Sequence, residues 1–132
     1  MAEKKRKDYD GERFVTEGDN YSGSIYVQKD VHIKGNNDSL DIMARDGDIT
    51  IEGNSKSWDI RATKHTVTIK GNVESAVWIV ADTIIIEGNL IKGTVLAKKK
   101  AIIKGTAYEG TIVKATEIDV HERHPKAQII KT

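Results

Sequence analysis

The sequence predicts an all-β fold: a single-domain, right-handed parallel β-helix, or β-solenoid, of about six to seven coils of 17–18 residues each. Three observations carry that expectation. The apolar side chains are those of strands, with 18 Ile and 10 Val against 3 Leu and 1 Phe; β-branched residues favour strands over helices. A glycine recurs at a near-constant interval, since Gly35, Gly53, Gly71, Gly88 and Gly105 are 18, 18, 17 and 17 residues apart. Ahead of each glycine the apolar residues sit at i and i+2, the period of a strand with one buried face. A repeat of this length is too short for two antiparallel hairpins but suits one coil with two or three short strands. Equivalent strands of successive coils then pair in parallel, about 4.8 Å apart. A left-handed hexapeptide helix would show a period of six, which is absent.

The elements follow in chain order. Residues 1–12 (MAEKKRKDYDGE) are polar and are expected to form a disordered tail, leaving residues 13–132 as the solenoid domain. The glycine motif opens in degenerate form at FVTEGD (14–19). It recurs as VHIKGN (31–36), ITIEGN (49–54), VTIKGN (67–72), IIIEGN (84–89) and AIIKGT (101–106), and fades into IDVHER (118–123). A second motif lies between these: SIYV (24–27), DIMA (41–44), DIRA (59–62), WIVA (78–81), TVLA (94–97) and IVKA (112–115), with IIKT (129–132) in the same frame. The inward pairs run from Ile25/Val27 to Val113/Ala115 on one strand and from Val31/Ile33 to Ile118/Val120 on the other. The recurrent Ala fits a narrow interior.

Stacked coils turn equivalent positions into ladders. The residue before the glycine is Glu17, Lys34, Glu52, Lys70, Glu87 and Lys104, alternating in sign throughout. Opposite charges on paired strands stabilise modestly and like charges repel, so this row specifies register. The residue after the glycine is Asn36, Asn54, Asn72 and Asn89, then Thr106. Glycine at positive φ followed by Asn is turn chemistry, and stacked Asn amides are expected to bond along the ladder.

A solenoid leaves an open strand edge at each end unless it is capped, and no amphipathic helix is visible at either terminus. Uncapped ends make end-to-end β-pairing the expectation, with Phe14, Ile25 and Val27 at one end and Ile118, Val120, Ile129 and Ile130 at the other. Outward positions become apolar along the rod. Trp78, Val80, Leu96 and Ile112 on one strand, with Ile85 and Ile102 on the other, form a candidate lateral contact. A covering third strand or loop is the competing account.

Several functions find no support. No apolar run nears the ~20 residues that span a bilayer, and no secretory signal is visible. The absence of cysteine excludes disulfides and thiolate metal sites. A net charge of +1 argues against general nucleic-acid binding. Lys4, Lys5, Arg6 and Lys7 lack an apolar anchor, so any contact with an anionic membrane would be weak and salt-sensitive. His121 and His124 follow a strand and precede Pro125, which makes them a surface pair rather than a metal site. Asp41 and Asp59 stack on one face, but turns this short build no catalytic cleft. No cofactor and no enzymatic activity is expected.

The stretch IKGTVLAKKKAIIKGTAYEGTIVKATEIDV (91–120) resembles the bactofilins, bacterial polymer-forming cytoskeletal proteins. Gly93, Val95, Ala97, Ile103 and Gly105 match that family's glycine-alanine pattern, and Gly110, Ile112 and Ala115 follow it more loosely. Similar spacing extends back to about residue 14. The resemblance implies a β-helix that polymerises without nucleotide, a scaffold for other proteins, and a cytoplasmic location, with any membrane association peripheral. The competing expectation is a non-polymerising binding module that docks a partner on an apolar face around Trp78, Val80 and Leu96.

Overall fold

A computed structural model describes residues 5–132, and every regular element in it is a β-strand. The first coil holds β1 (Tyr9–Gly11), β2 (Phe14–Thr16) and β3 (Asn20–Tyr21). The second holds β4 (Ser24–Val27), β5 (Val31–Ile33) and β6 (Asn37–Asp38), and the third β7 (Asp41–Ala44), β8 (Ile49–Ile51) and β9 (Ser55–Lys56). In the fourth, β10 (Asp59–Ile69) runs unbroken around a corner before β11 (Val73–Ser75). Long strands β12 (Trp78–Ile86) and β13 (Thr94–Ala107) make up most of the next two coils. The chain finishes with β14 (Ile112–Ala115), β15 (Glu117–Arg123) and β16 (Gln128–Lys131).

All strand pairs are parallel and join elements one coil apart, so the chain is a parallel β-solenoid. It has three faces. The first stacks β1, β4, β7, β10, β12, β13, β14 and β16. The second stacks β2, β5, β8, the later halves of β10, β12 and β13, and β15. The third begins with β3, β6, β9 and β11, and continues through the single bridges Val73–Leu90 and Leu90–Ala107. Among the described residues the first face therefore carries eight strands and the second seven.

Between the end coils, each inward row of the first two faces is a column of β-branched residues and alanines. Ile25, Ile42, Ile60, Ile79, Val95 and Val113 are all 0–1% exposed, as are Ile33, Ile51, Ile69 and Ile86 on the second face. A fully buried Ile contributes about 1.5–3 kcal/mol relative to exposure, so these columns dominate stability. The third face departs from this chemistry. Its inward row starts as Asn20, Asn37 and Ser55 before turning apolar at Val73, Leu90 and Ala107. The buried amides are satisfied coil to coil: Asn20 Nδ2 donates to Asn37 Oδ1 at 3.0 Å and Asn37 Nδ2 to Ser55 Oγ at 3.1 Å. Among the described residues no buried side-chain polar atom lacks a partner, which is what a low-dielectric interior requires.

The recurrent glycines do not have the conformation expected of them. Positive φ occurs only at Gly93 (+137°) and Gly110 (+83°) among the described residues. Gly53, Gly71, Gly88 and Gly105 are needed for space instead. A Cβ on Gly53 would lie 2.8 Å from the Gly35 carbonyl oxygen of the coil before, and one on Gly105 2.5 Å from that of Gly88. The following Asn residues bond differently too. Each Oδ1 accepts the backbone N–H of its counterpart one coil on: Asn36 from Asn54, Asn54 from Asn72, Asn72 from Asn89 and Asn89 from Thr106, all at 2.8 Å. Asp19 starts the series by accepting from Asn36 N–H. The corner thus needs an acceptor oxygen, and the amide nitrogen is spare.

Candidate assembly edges and lateral faces

The N-terminal end begins earlier than the sequence suggests. Residues 9–11 are no tail: β1 pairs with β4, placing Tyr9 opposite Ile25 and Gly11 opposite Val27. The Asp8 carboxylate accepts the Ser24 N–H at 2.8 Å. Ile25 and Val27, expected at the end, are therefore covered, at 0% and 2% exposure. The edge strands are β1 and β2, with Phe14 partly buried against the core. The Tyr9 ring, in a core slot with no described strand beneath it, tilts against Phe14 at 4.9 Å, and its hydroxyl donates to Arg13 O at 2.7 Å. Two aromatic side chains thus cover the end of the core, and among the described residues no helix does so. Arg6 is engaged as well, donating to Ser22 O and Asp38 Oδ1 at 2.9 Å and lying over the Tyr21 ring. That leaves Lys5 and Lys7 of the basic cluster exposed; Lys4 lies outside the described residues.

At the other end, β15 pairs only with β13 and β16 only with β14 among the described strands. Ile118, Val120 and Ile129 occupy core slots and are partly buried. Ile130 does not: it stands opposite Lys114 in an outward row and is 39% exposed. The core slot beside it falls to Lys131, opposite Ala115. Arg123 likewise sits opposite Ala107, in the inward row of the third face. Between β15 and β16 the chain turns at His124–Ala127, held by Ala127 N–H donating to His124 O at 2.9 Å, with Ala127 buried. His124 Nδ1 accepts the Lys126 N–H. No cluster of His, Asp or Glu among the described residues is arranged to hold a metal.

The alternating charge row is a physical ladder on the second face. Lys34 meets Glu17 at 3.0 Å, Lys70 meets Glu52 at 3.9 Å and Lys104 meets Glu87 at 4.0 Å. It thus closes in pairs rather than as an unbroken chain of contacts. Glu52 gains a further partner, His32 Nε2, from the adjacent outward row. Its carboxyl is held below the usual range, mainly by the His32 hydrogen bond and also by Lys70. Asp46, at the corner between the first two faces, is lowered by hydrogen bonds from His65 and then Lys29.

The expected lateral surface divides in two. Trp78, Val80, Leu96 and Ile112 lie outward on the first face, with Val80 opposite Leu96 and Trp78 opposite Thr94. Ile85 and Ile102 pair with each other on the second face. Among the described residues no strand covers either group, since the third strand of each coil builds a separate face. A shallow depression over Val80, Ala81, Leu96 and Ala97 is rimmed by Lys98 and Lys114.

The structure adds an apolar ridge that the motifs pass over. At the corner between the third and first faces Leu40, Trp58 and Val77 stack, linked by Trp58 N–H to Leu40 O and Val77 N–H to Trp58 O. They are 39%, 68% and 50% exposed, with Trp78 beside them. These residues fall between the two strand motifs, where the repeat gives no frame for predicting an orientation.

The fold and its surfaces define a parallel β-solenoid whose end strands pair on one side only among the described strands, with a charge ladder and partly exposed apolar rows. The chain matches no family model, no curated protein and no solved structure.

Proposed function

We propose that this chain is a structural protein that assembles end to end into filaments, without nucleotide, and serves as a cytoplasmic scaffold. The observation that supports this reading is the pair of open edges. β1 and β2 at one end, and β15 and β16 at the other, each hydrogen-bond on one side only among the described strands. An unpaired edge is a template for another strand. The resemblance of residues 91–120 to the bactofilins points the same way. A joint on the eight-stranded first face leaves the second face one strand short, a space of about 4.8 Å. The Tyr9–Phe14 pair and the His124–Ala127 turn lie at the ends where that space would open.

Negative-stain microscopy of the purified chain tests the proposal. Long unbranched filaments are expected without nucleotide, and a monodisperse small species at high concentration would overturn it. Phe14→Arg and Val120→Arg should each dissolve filaments while far-UV circular dichroism keeps its β-signal. Persistence of filaments in both variants would refute the assigned ends.

One observation favours a second reading, a β-helical module that binds a partner laterally: the ridge of Leu40, Trp58 and Val77 beside Trp78. It predicts a dispersed species whose tryptophan emission changes only when a partner is added.

A further inference from the structure

We infer that the C-terminal joint of the proposed filament is gated by charge, through Arg123 and Lys131. The inference rests on the filament reading and adds a control to it. Lys131 continues an inward row made of Gly11, Val27 and five alanines, ending at Ala115. Arg123 continues the inward row Asn20, Asn37, Ser55, Val73, Leu90 and Ala107. Every earlier described position in both rows is uncharged, and each cation takes the last slot of its row.

Neither cation has an ion-pair or hydrogen-bond partner for its side chain among the described residues, whereas Lys126 of the same coil is paired with Glu109 at 3.3 Å. The acids of the coil do not neutralise them. Glu117 lies opposite Lys100 at 4.0 Å, Asp119 lies opposite the outward Ile102, and Glu122 lies opposite Thr106 in the outward corner row. The end thus presents an apolar floor of Ile118, Val120 and Ile129 flanked by two unpaired cations.

A neighbouring molecule stacked on this end removes water from both. Burying an unpaired charge is costly, and two such ends facing each other bring four cations together. The first coil differs, because its inward slots hold Tyr9, Gly11, Phe14 and Thr16 and carry no charge. Salt screens the repulsion between the cations of approaching C-terminal ends, and removing the cations abolishes the burial cost as well, so both act on the C-terminal joint. Both ends are solvated in the free molecule, so the cations cost the monomer little.

The test compares the full chain with an Arg123→Ala/Lys131→Ala double variant by sedimentation at about 20 mM and about 300 mM NaCl. Alanine is the residue these rows already hold at 107 and 115, and circular dichroism checks the fold. For the unmodified chain the critical concentration should fall about tenfold from low to high salt. The double variant should assemble at the lower concentration in both, with less than about a twofold change. Lys126→Ala should keep the salt response of the unmodified chain. Filaments with the same salt response in all three chains would overturn the gate and leave the filament reading standing. Folded but dispersed protein in every chain at both salts would overturn both.

Discussion

At the scale of single residues, the corners of this solenoid are governed by space and by one acceptor atom. Gly71→Ala would push a Cβ to 2.5 Å from the Gly53 carbonyl oxygen. The expected cost is about 1–3 kcal/mol, the usual range for overpacking, read as a lower urea midpoint at constant slope. A Cβ on Gly18 would meet no heavy atom within 4 Å, and the φ of Gly18 is not positive, so Gly18→Ala should leave the midpoint nearly unchanged. Asn72→Ala strands the partly buried Asn89 N–H and should cost about 1–2 kcal/mol. Asn72→Asp keeps the oxygen, as Asp19 does naturally, and should recover most of that loss. The lowered carboxyls set a pH response. Asp46 and Glu52 favour their charged forms in the folded chain, so their contribution is present above the ordinary values of 3.8 and 4.5. It is lost as pH falls below those values, because the unfolded chain takes up the protons first. Thermal midpoints should drop on acidification from about pH 5 to pH 3, and less steeply in Glu52→Gln.

At the scale of strands, pairing one coil apart makes like-with-like stacking the rule, and charge is its exception. The row from Glu17 to Lys104 alternates because parallel in-register strands bring each residue beside its equivalent. Glu52→Lys would set a third cation between Lys34 and Lys70. Since the row is exposed, the loss should be modest, within about 1 kcal/mol, and should shrink at high salt; denaturation at two ionic strengths checks it. The 17-versus-18-residue interval is also explained at this scale. The corner joining the first two faces has four residues between Ala62 and Val67 but two between Ala81 and Ile84, whereas Val73 to Trp78 is one residue longer than the equivalent Ser55 to Asp59, and the strand register shifts at both places. The first two faces stay in step while the first corner and the third face absorb the difference.

At the scale of the whole molecule, the question is which surfaces meet other molecules. Both tryptophans are exposed, Trp58 at 68% and Trp78 at 42%, on or beside one corner. Emission of the dispersed chain should be that of solvated indole and readily quenched by acrylamide. End-to-end assembly leaves this corner open, so filament formation should not shift the spectrum. A blue shift on assembly would place the lateral ridge in the contact and count against an end-to-end joint. The two ends also differ in character, one closed by a tilted Tyr9–Phe14 pair, the other an aliphatic floor with two cations.

The amino-acid sequence by itself determined the coil, its near-constant length, the inward columns of the first two faces and the charge row. All of these repeat every 17–18 residues, and periodicity is visible in one dimension. Tertiary structure alone decided the rest. The first strand was hidden because Tyr9–Gly11 carries no β-branched residue, and its slots are defined only by pairing with Ile25 and Val27. The third face was hidden because Asn20, Asn37 and Ser55 look like solvent residues until their partners, 17 and 18 positions away, bury and satisfy them. The repeat glycines read as turns, but only the approach of the preceding coil's carbonyl shows why a side chain cannot stand there. The end was misplaced by one residue, from Lys131 to Ile130, because composition assigns the apolar residue to the core whereas hydrogen-bond register assigns the slot. A repeat fixes what lies inside each coil; contact between coils fixes where the chain's own core stops.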